Sequence, residues 1–552
     1  MVRADPATPG GAVVSRPALP PVSRTPISRR GLFAAGALGG AGLAGVGVPA
    51  LARDRRPVVG PRLASELFTL GIASGDPWPD GFVLWTRLAP EPLAADGLGG
   101  MPDAEVEVEW EVATDEAMSQ VVRRGTETAR LAGNHSVHAE VTGLEPAREY
   151  WYRFRANGEL SPVGRAVTAP AADAEVAAMT FAFASCQNFP EGYFNAYADL
   201  ARQDLDLVVH LGDYIYEGAG TQDALGRAHT SRKETFTLAD YRLRYSQYKA
   251  DADLQAAHAH APWAVAPDDH EVENNWAGDI SQVDTEPDQD PAVFRQRRAA
   301  AYQAYWENMP LRRSSLPQGP EMDIYRRLTF GRLLSLSMLD TRRFRDDQIE
   351  GGNQAVLDGR WDPRRTMLGR RQEGWLLNGL DSSRARWNVL GNQVFCFEAD
   401  HEAGPEVRYS GDTWDSYAAA RQRLFDQLHR RGVENFVMVT GDAHRSVAAD
   451  LKLDFSDPSS PTVGTEFLGT SITSGGNGSD QDDLGRVWLA ENPHMKFHNK
   501  QRGYQVVRLD QDTLECEYRV CDSVTVPGAP VRTRSVVTVE SGRAGIADVS
   551  LF

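Results

Sequence analysis

From Phe68 to Ala169 apolar and polar positions alternate over short stretches, the two-residue period of half-buried strands. The runs Val106-Glu107-Val108-Glu109-Trp110-Glu111-Val112 and Glu149-Tyr150-Trp151-Tyr152-Arg153-Phe154-Arg155 show it most clearly. They predict an all-β sandwich of roughly a hundred residues, set at 66–170. A stretch rich in Ala, Asp and Pro, 168–178, then leads into a different pattern over 179–541. Apolar runs of strand length there alternate with helical spacing, which predicts an α/β domain. Tyr241 to His258 and Phe294 to Met309 carry that helical spacing, and Tyr417 to Arg431 ends at Gly432, a predicted C′ glycine.

Four of the predicted buried strands end in side chains able to hold a metal. Met179–Ala184 runs into Ser185-Cys186-Gln187, and Leu205–Leu211 into Gly212-Asp213-Tyr214-Ile215-Tyr216-Glu217. Trp263–Ala266 runs into Pro267-Asp268-Asp269-His270-Glu271, and Asn435–Thr440 into Gly441-Asp442-Ala443-His444. Taken singly, each has a plain structural explanation: a Gly-Asp turn, a helix cap, a small buried thiol. Together they point to one crevice, because ligands in open α/β sheets bind at the carboxyl ends of strands. That inference requires the four strands to be parallel neighbours.

The residue types suit metal chemistry. A hard trivalent ion favours anionic oxygen, including a phenolate such as Tyr216, and divalent ions suit the carboxylates of Asp213, Asp269 and Asp442. Asp213 has two oxygens with which to bridge two ions at the roughly 3.5 to 4 Å spacing that supports attacking and leaving oxygens together.

The amino terminus carries Ser28-Arg29-Arg30-Gly31-Leu32-Phe33, then an Ala/Gly-rich apolar stretch and an A-x-A site at Ala50-Leu51-Ala52. Residues 1–52 therefore read as a twin-arginine signal peptide, which implies the twin-arginine export machinery as a partner and a secreted or extracytoplasmic protein. Beyond it no apolar run is long enough to span a bilayer, so no integral membrane segment is expected in the mature form. The chain has 552 residues and a formal net charge of −18, and residues 1–52 are themselves net basic. The field of so acidic a remainder repels polyanions, which argues against a nucleic-acid partner. Of the four cysteines, Cys516 and Cys521 sit five apart in a strand-like run and point to opposite faces, a poor geometry for a mutual disulfide.

Residues 180–541 resemble the alkaline phosphatase D (PhoD-like) family of the metallophosphoesterase superfamily. Phe183-Ala184-Ser185-Cys186-Gln187, the segments His210–Glu217 and Asp268–Trp276, Asp340-Thr341-Arg342, Gly391-Asn392-Gln393 and Gly441-Asp442-Ala443-His444 carry the resemblance. Gly71-Ile72-Ala73-Ser74-Gly75-Asp76-Pro77 and Leu84-Trp85-Thr86-Arg87 extend it to the family's amino-terminal domain. It implies an α/β metallophosphoesterase-like catalytic domain, two β-sheets flanked by helices, preceded by an all-β sandwich. Leu144-Glu145-Pro146 ahead of Tyr150 resembles the tyrosine corner of fibronectin III sandwiches.

By the same resemblance the metals are iron (Fe3+) and calcium. Iron is expected near Cys186, Tyr216 and His444, calcium near Asp269 and Asp442, and Asp213 between them. Asp268, Asn274, Asn275 and Asn392 are available to complete the calcium shell. His270 is expected to approach the phosphate or the leaving group, and Arg342 is either a phosphate clamp or a surface salt bridge. The expected activity is metal-dependent hydrolysis of small phosphate monoesters, and of diesters if the loops admit them, by activated water. The alternatives are a phosphodiesterase or phospholipase D-type enzyme and, from another class, a non-enzymatic exported binding protein.

Overall fold

The computed structural model describes residues 66–220 and 223–552, all of which fall within one compact unit. The paired-arginine patch and the Ala50–Ala52 site lie outside the described residues. Among the described residues no helix is long and apolar enough to cross a membrane.

Two large sheets face each other. The first has ten strands, in the order Ile546–Leu551, Val531–Glu540, Thr513–Cys521, Gly503–Asp510, Ala178–Ala184, Leu207–His210, Pro262–Val265, Ile72–Trp78, Gly81–Arg87 and Ser136–Val141. The second has seven: Arg326–Phe330, Leu334–Met338, Trp387–Gly391, Phe436–Thr440, Thr462–Leu468, Ser446–Lys452 and Met495–Asn499. Strand alternation decides what each face covers. Phe181, Phe183, Leu207 and Val209 pack toward Leu336, Val389, Val439 and Phe467 of the second sheet. The intervening Ala182, Ala184, Val208 and Trp263 pack against Tyr241, Tyr245 and Leu254 of the helices. On the far side of the second sheet, Leu390, Met438 and Ala449 meet Leu376, Leu424 and Phe425. Helices thus cover the outer faces, and the apolar layer between the sheets holds their strand ends in line.

The helical spacing at Tyr241 to His258 resolves into two helices, Leu238–Lys249 and Ala252–His260. Asp251 divides them by capping the second, accepting from the N–H groups of Asp253 and Leu254. Ala418–Arg431 ends as the sequence predicts, with Gly432 in the left-handed region at φ 59°. All four cysteines are buried and free.

Three of the four ligand-bearing strands are parallel neighbours: Leu207 pairs with Phe181, and Val208 with Trp263. The fourth, Phe436–Thr440, lies in the facing sheet. The requirement that all four be neighbours is therefore corrected. Convergence is achieved across the apolar layer, where Gly441, at the end of Phe436–Thr440, lies so close to Ser185 of the first sheet that a Cβ at Gly441 would stand 2.8 Å from Ser185 Cβ.

The amino-terminal strands are welded to this frame. Ile72–Trp78 pairs in parallel with Pro262–Val265, Ser74 opposite Pro262 and Gly75 opposite Trp263. On the other side of Ile72, Phe82, Leu84 and Val137, a five-stranded sheet contributes Val108, Val112, Tyr152 and Phe154. Arg326 reinforces the weld, pairing with Asp76 at 2.6 Å and donating to Val265 O at 3.0 Å. A Cβ at Gly75 would meet Pro310 O at 2.5 Å and Trp263 O at 2.6 Å, both backbone atoms that cannot swing away. Gly75→Ala is expected to cost about 1–3 kcal/mol of stability, read from the midpoint of chemical denaturation.

Candidate metal centre

The strands do not simply stop at the crevice; their ends turn sharply. Cys186, Asp213, Asp442 and His444 adopt φ values of 60°, 55°, 66° and 54°. Left-handed backbone at a non-glycine residue costs about 1–3 kcal/mol and persists only where the surroundings enforce it. Here neighbouring turns enforce it on each other. Cys186 N–H donates to Gly212 O at 3.1 Å and Gln187 N–H to Asp213 O at 3.0 Å. Ser474 Oγ donates to Cys186 O at 2.8 Å.

Glu271, fully buried, joins two of the turns. Its Oε2 accepts from Asp213 N–H at 3.1 Å and Asp268 N–H at 2.8 Å, and its Oε1 from Tyr214 N–H at 2.5 Å. Gly212 lies so close to Asp268 N, 2.5 Å from where a Cβ would stand, that no side chain fits between the turns. The sequence offered Glu271 only as part of an acidic run, with no sign that it serves the backbone.

Cys186, Asp213, Tyr216, Asp269, Asp442 and His444 arrive at one place. Cys186, Asp213 and His444 each offer a ligand atom within 4.8 Å of the others, as do Asp213, Asp269 and His270, and also Asp268, Asp269 and Asp442. Asp213 belongs to the first two groups and Asp269 to the last two, so the three form a continuous chain. Tyr216 joins at its start, donating to Asp213 Oδ2 at 2.9 Å and lying 3.2 Å from His444 Nε2. Asn392 Oδ1 is buried without a hydrogen-bond partner. Asn274 instead turns its amide to Gln282 at 2.9 Å, and Asn275 gives its backbone N–H to Asp269 Oδ2 at 2.7 Å.

Electrostatics define what this chain of groups needs. Burial pushes the Cys186 thiol well up, and the carboxylates of Asp213 and Asp442 push it further. The Tyr216 phenol is raised by burial and by Asp213, and Asp213 itself by burial. His270 and Arg342 offset part of this charge, and without a further cation the remainder is relieved by protons. A multivalent ion replaces them. Asp213 Oδ1, buried and without a hydrogen-bond partner, is an atom of the kind such an ion satisfies. The residues present therefore fit a metal centre.

His270 sits at the rim, its side chain 19% exposed, with Nδ1 2.6 Å from Glu217 Oε2. Burial alone would lower it, but Glu217, Asp213 and Asp269 outweigh burial and hold the imidazolium well above its ordinary range. Arg342 is buried rather than on the surface. Its Nε donates to Asp268, its Nη1 to Asp412 at 2.9 Å, and its Nη2 lies 3.3 Å from Asp442 and 3.5 Å from Asp269. Asp412 escaped sequence reading. It follows a glycine, as Asp213 and Asp442 do, but no buried strand precedes it to flag the turn.

A two-sheet α/β frame here gathers carboxylates, a thiol, a phenol and imidazoles at its strand ends, a donor set suited to metal-assisted hydrolysis. Comparison with known proteins names the group. The PhoD-like phosphatase family model matches residues 181–518, and the model of that family's N-terminal domain matches 54–170. Alkaline phosphatase D of Bacillus subtilis (strain 168) is 49% identical over 496 residues, covering 89% of this chain and 84% of that protein. A solved structure of PhoD superposes with a TM-score of 0.85 at 48% identity, over 89% of this chain and 94% of its own. The chain belongs to the PhoD-like phosphatases. It is a phosphoric ester hydrolase of the alkaline phosphatase D type.

Glu271→Ala would leave three backbone N–H groups bare at the joint between two ligand turns, at about 1–3 kcal/mol for each. A loss of about 3 kcal/mol or more is expected by chemical denaturation, with a fall in bound metal measured on the folded fraction.

Proposed function

We propose that this phosphoesterase is metal-dependent and acts on small phosphate esters in the crevice where the two sheets' strand ends meet. The observation that carries the reading is the unbroken series of ligand groups with Asp213 shared, its Oδ1 bare and buried. Iron(III) would be held by Cys186, Tyr216 and His444 with Asp213, the thiolate and phenolate being stable only beside a highly charged ion. Calcium would be held by Asp269 and Asp442 with Asp213, and Asp268 and Asn392 have oxygens to add. When bound, such ions draw charge from a phosphoryl group and make water a better nucleophile near neutral pH.

The chain's own groups do the rest. His270 is oriented by Glu217 at its Nδ1, which leaves Nε2 to carry a proton to the leaving oxygen. Glu217 is itself held by Asn274 N–H at 2.8 Å, which fixes the ring's direction. Arg342 acts first on the carboxylates, and its Nη2, the nitrogen turned toward Asp269 and Asp442, is the one suited to share a phosphoryl oxygen.

The amino-terminal strands serve as a scaffold of fibronectin III type, a reading supported by Glu145 N–H donating to the Tyr150 hydroxyl at 2.9 Å. Export by the twin-arginine machinery and an extracytoplasmic location are supported by Ser28–Phe33.

Hydrolysis of nitrophenyl phosphate and of bis-nitrophenyl phosphate is expected to fall more than about 100-fold in Asp213→Ala and in chelator-treated enzyme, beyond what loss of an outer-shell partner produces. The monoester-to-diester ratio distinguishes a phosphatase from a phosphodiesterase. Retention of both activities after complete metal removal would sink the metal-dependent reading. His270→Asn is expected to lower kcat about 100- to 10,000-fold on an alkyl phosphate. Its effect should be far smaller on the nitrophenyl ester, whose leaving group needs no proton. Equal losses on the two esters would remove His270 from the role of acid.

A further inference from the structure

A second acidic group lies one turn beyond Asp269. Glu273 N–H donates to Asp269 O at 2.8 Å, so a single turn of backbone joins the crevice to Glu273. There Glu273, Asp284 and Asp288 each present a ligand oxygen within 4.8 Å of the others, Glu273 and Asp288 buried and Asp284 exposed. The only donors in this group are carboxylates, unlike the mixed set of the crevice.

The positive charge nearby is insufficient. Arg297, its side chain 1% exposed, meets Glu273 at 3.0 Å and Asp288 at 2.9 Å through the same Nη1, and Glu234 at 2.6 Å through Nη2. One guanidinium therefore faces three carboxylates, and Asp284 adds a fourth. A separate observation points to a missing ligand: Asp288 Oδ1, in a residue with 0% exposure, has no hydrogen-bond partner although Oδ2 is paired. A buried carboxylate oxygen without a partner is unfavourable, and a cation satisfies it without displacing the arginine.

The intervening chain is folded around these oxygens. Gln282 N–H donates to Glu273 Oε2 at 3.2 Å, and Ser281 Oγ to Asp288 O at 3.0 Å. Gln289 Nε2 reaches both Gln282 O at 2.7 Å and Asp284 Oδ1 at 3.1 Å.

We propose that Glu273, Asp284 and Asp288 bind a hard divalent cation of the calcium class, which ties segment 281–289 to the turn that carries Asp269. Three anionic oxygens, one of them on an exposed side chain, suit the irregular oxygen shell of calcium better than the strict octahedron of magnesium. The site stands whether or not the crevice holds metal.

The test is calcium stoichiometry, by equilibrium dialysis and elemental analysis of the purified full chain, in wild type, Asp284→Asn and Asp284→Lys. Asp284 is exposed and outside the core, so both variants are expected to fold. Each should bind one equivalent of calcium fewer than wild type, while iron, read in the same samples, is unchanged. Equal calcium in wild type and both variants, or no calcium bound to wild type at millimolar concentration, overturns the proposal and leaves Arg297 as the whole answer to the acidic group.

Discussion

Four aspartates are gathered beside one another, Asp213, Asp268 and Asp269 buried and Asp442 half-buried, and their mutual repulsion is the constraint to which the rest of the crevice responds. Buried like charges are tolerated only when paired, protonated or bound to metal. Arg342 supplies one fixed positive charge to three of the four, and Asp412 in turn anchors Arg342 together with Arg345. Asp213 is outside that reach. It keeps a bare oxygen and lies beside the thiol of Cys186 and the phenol of Tyr216, with the His270 imidazolium as its one nearby positive charge, and a multivalent cation is suited to supply the rest.

Holding such groups together requires a frame that does not yield. The apolar layer between the two large sheets aligns their strand ends, and the left-handed turns at Cys186, Asp213, Asp442 and His444 redirect side chains from strand ends into the crevice. Glu271 then fixes one turn against another through three backbone N–H groups. The amino-terminal strands extend the first sheet directly and put Asp76 under Arg326, so they contribute rigidity to the side of the sheet that bears Asp268 and Asp269.

Much of this was legible without coordinates. The period-two runs, the strand-length apolar stretches and the glycine at 432 reflect local backbone chemistry, and local rules read them. The metal candidates were legible for a similar reason: Asp213 and Asp442 each follow a glycine at the end of an apolar run, a combination that marks a strand turning into a site. Asp412 has no buried apolar run before it and passed unnoticed. Glu271 was visible but its task was not, because the N–H groups it accepts from belong to backbone, which carries no signature in sequence.

The amino-acid sequence by itself determined the candidate metal-holding side chains, their attachment to strand ends and the family to which the chain belongs, since these depend on residue identity and short-range order. Tertiary structure alone decided that the fourth candidate strand comes from the facing sheet, that Arg342 is buried among aspartates and that Asp213 is shared between two clusters able to hold a metal. Those outcomes depend on which apolar faces pack together and on charge balance among residues far apart in the chain, quantities that exist only once the chain has folded.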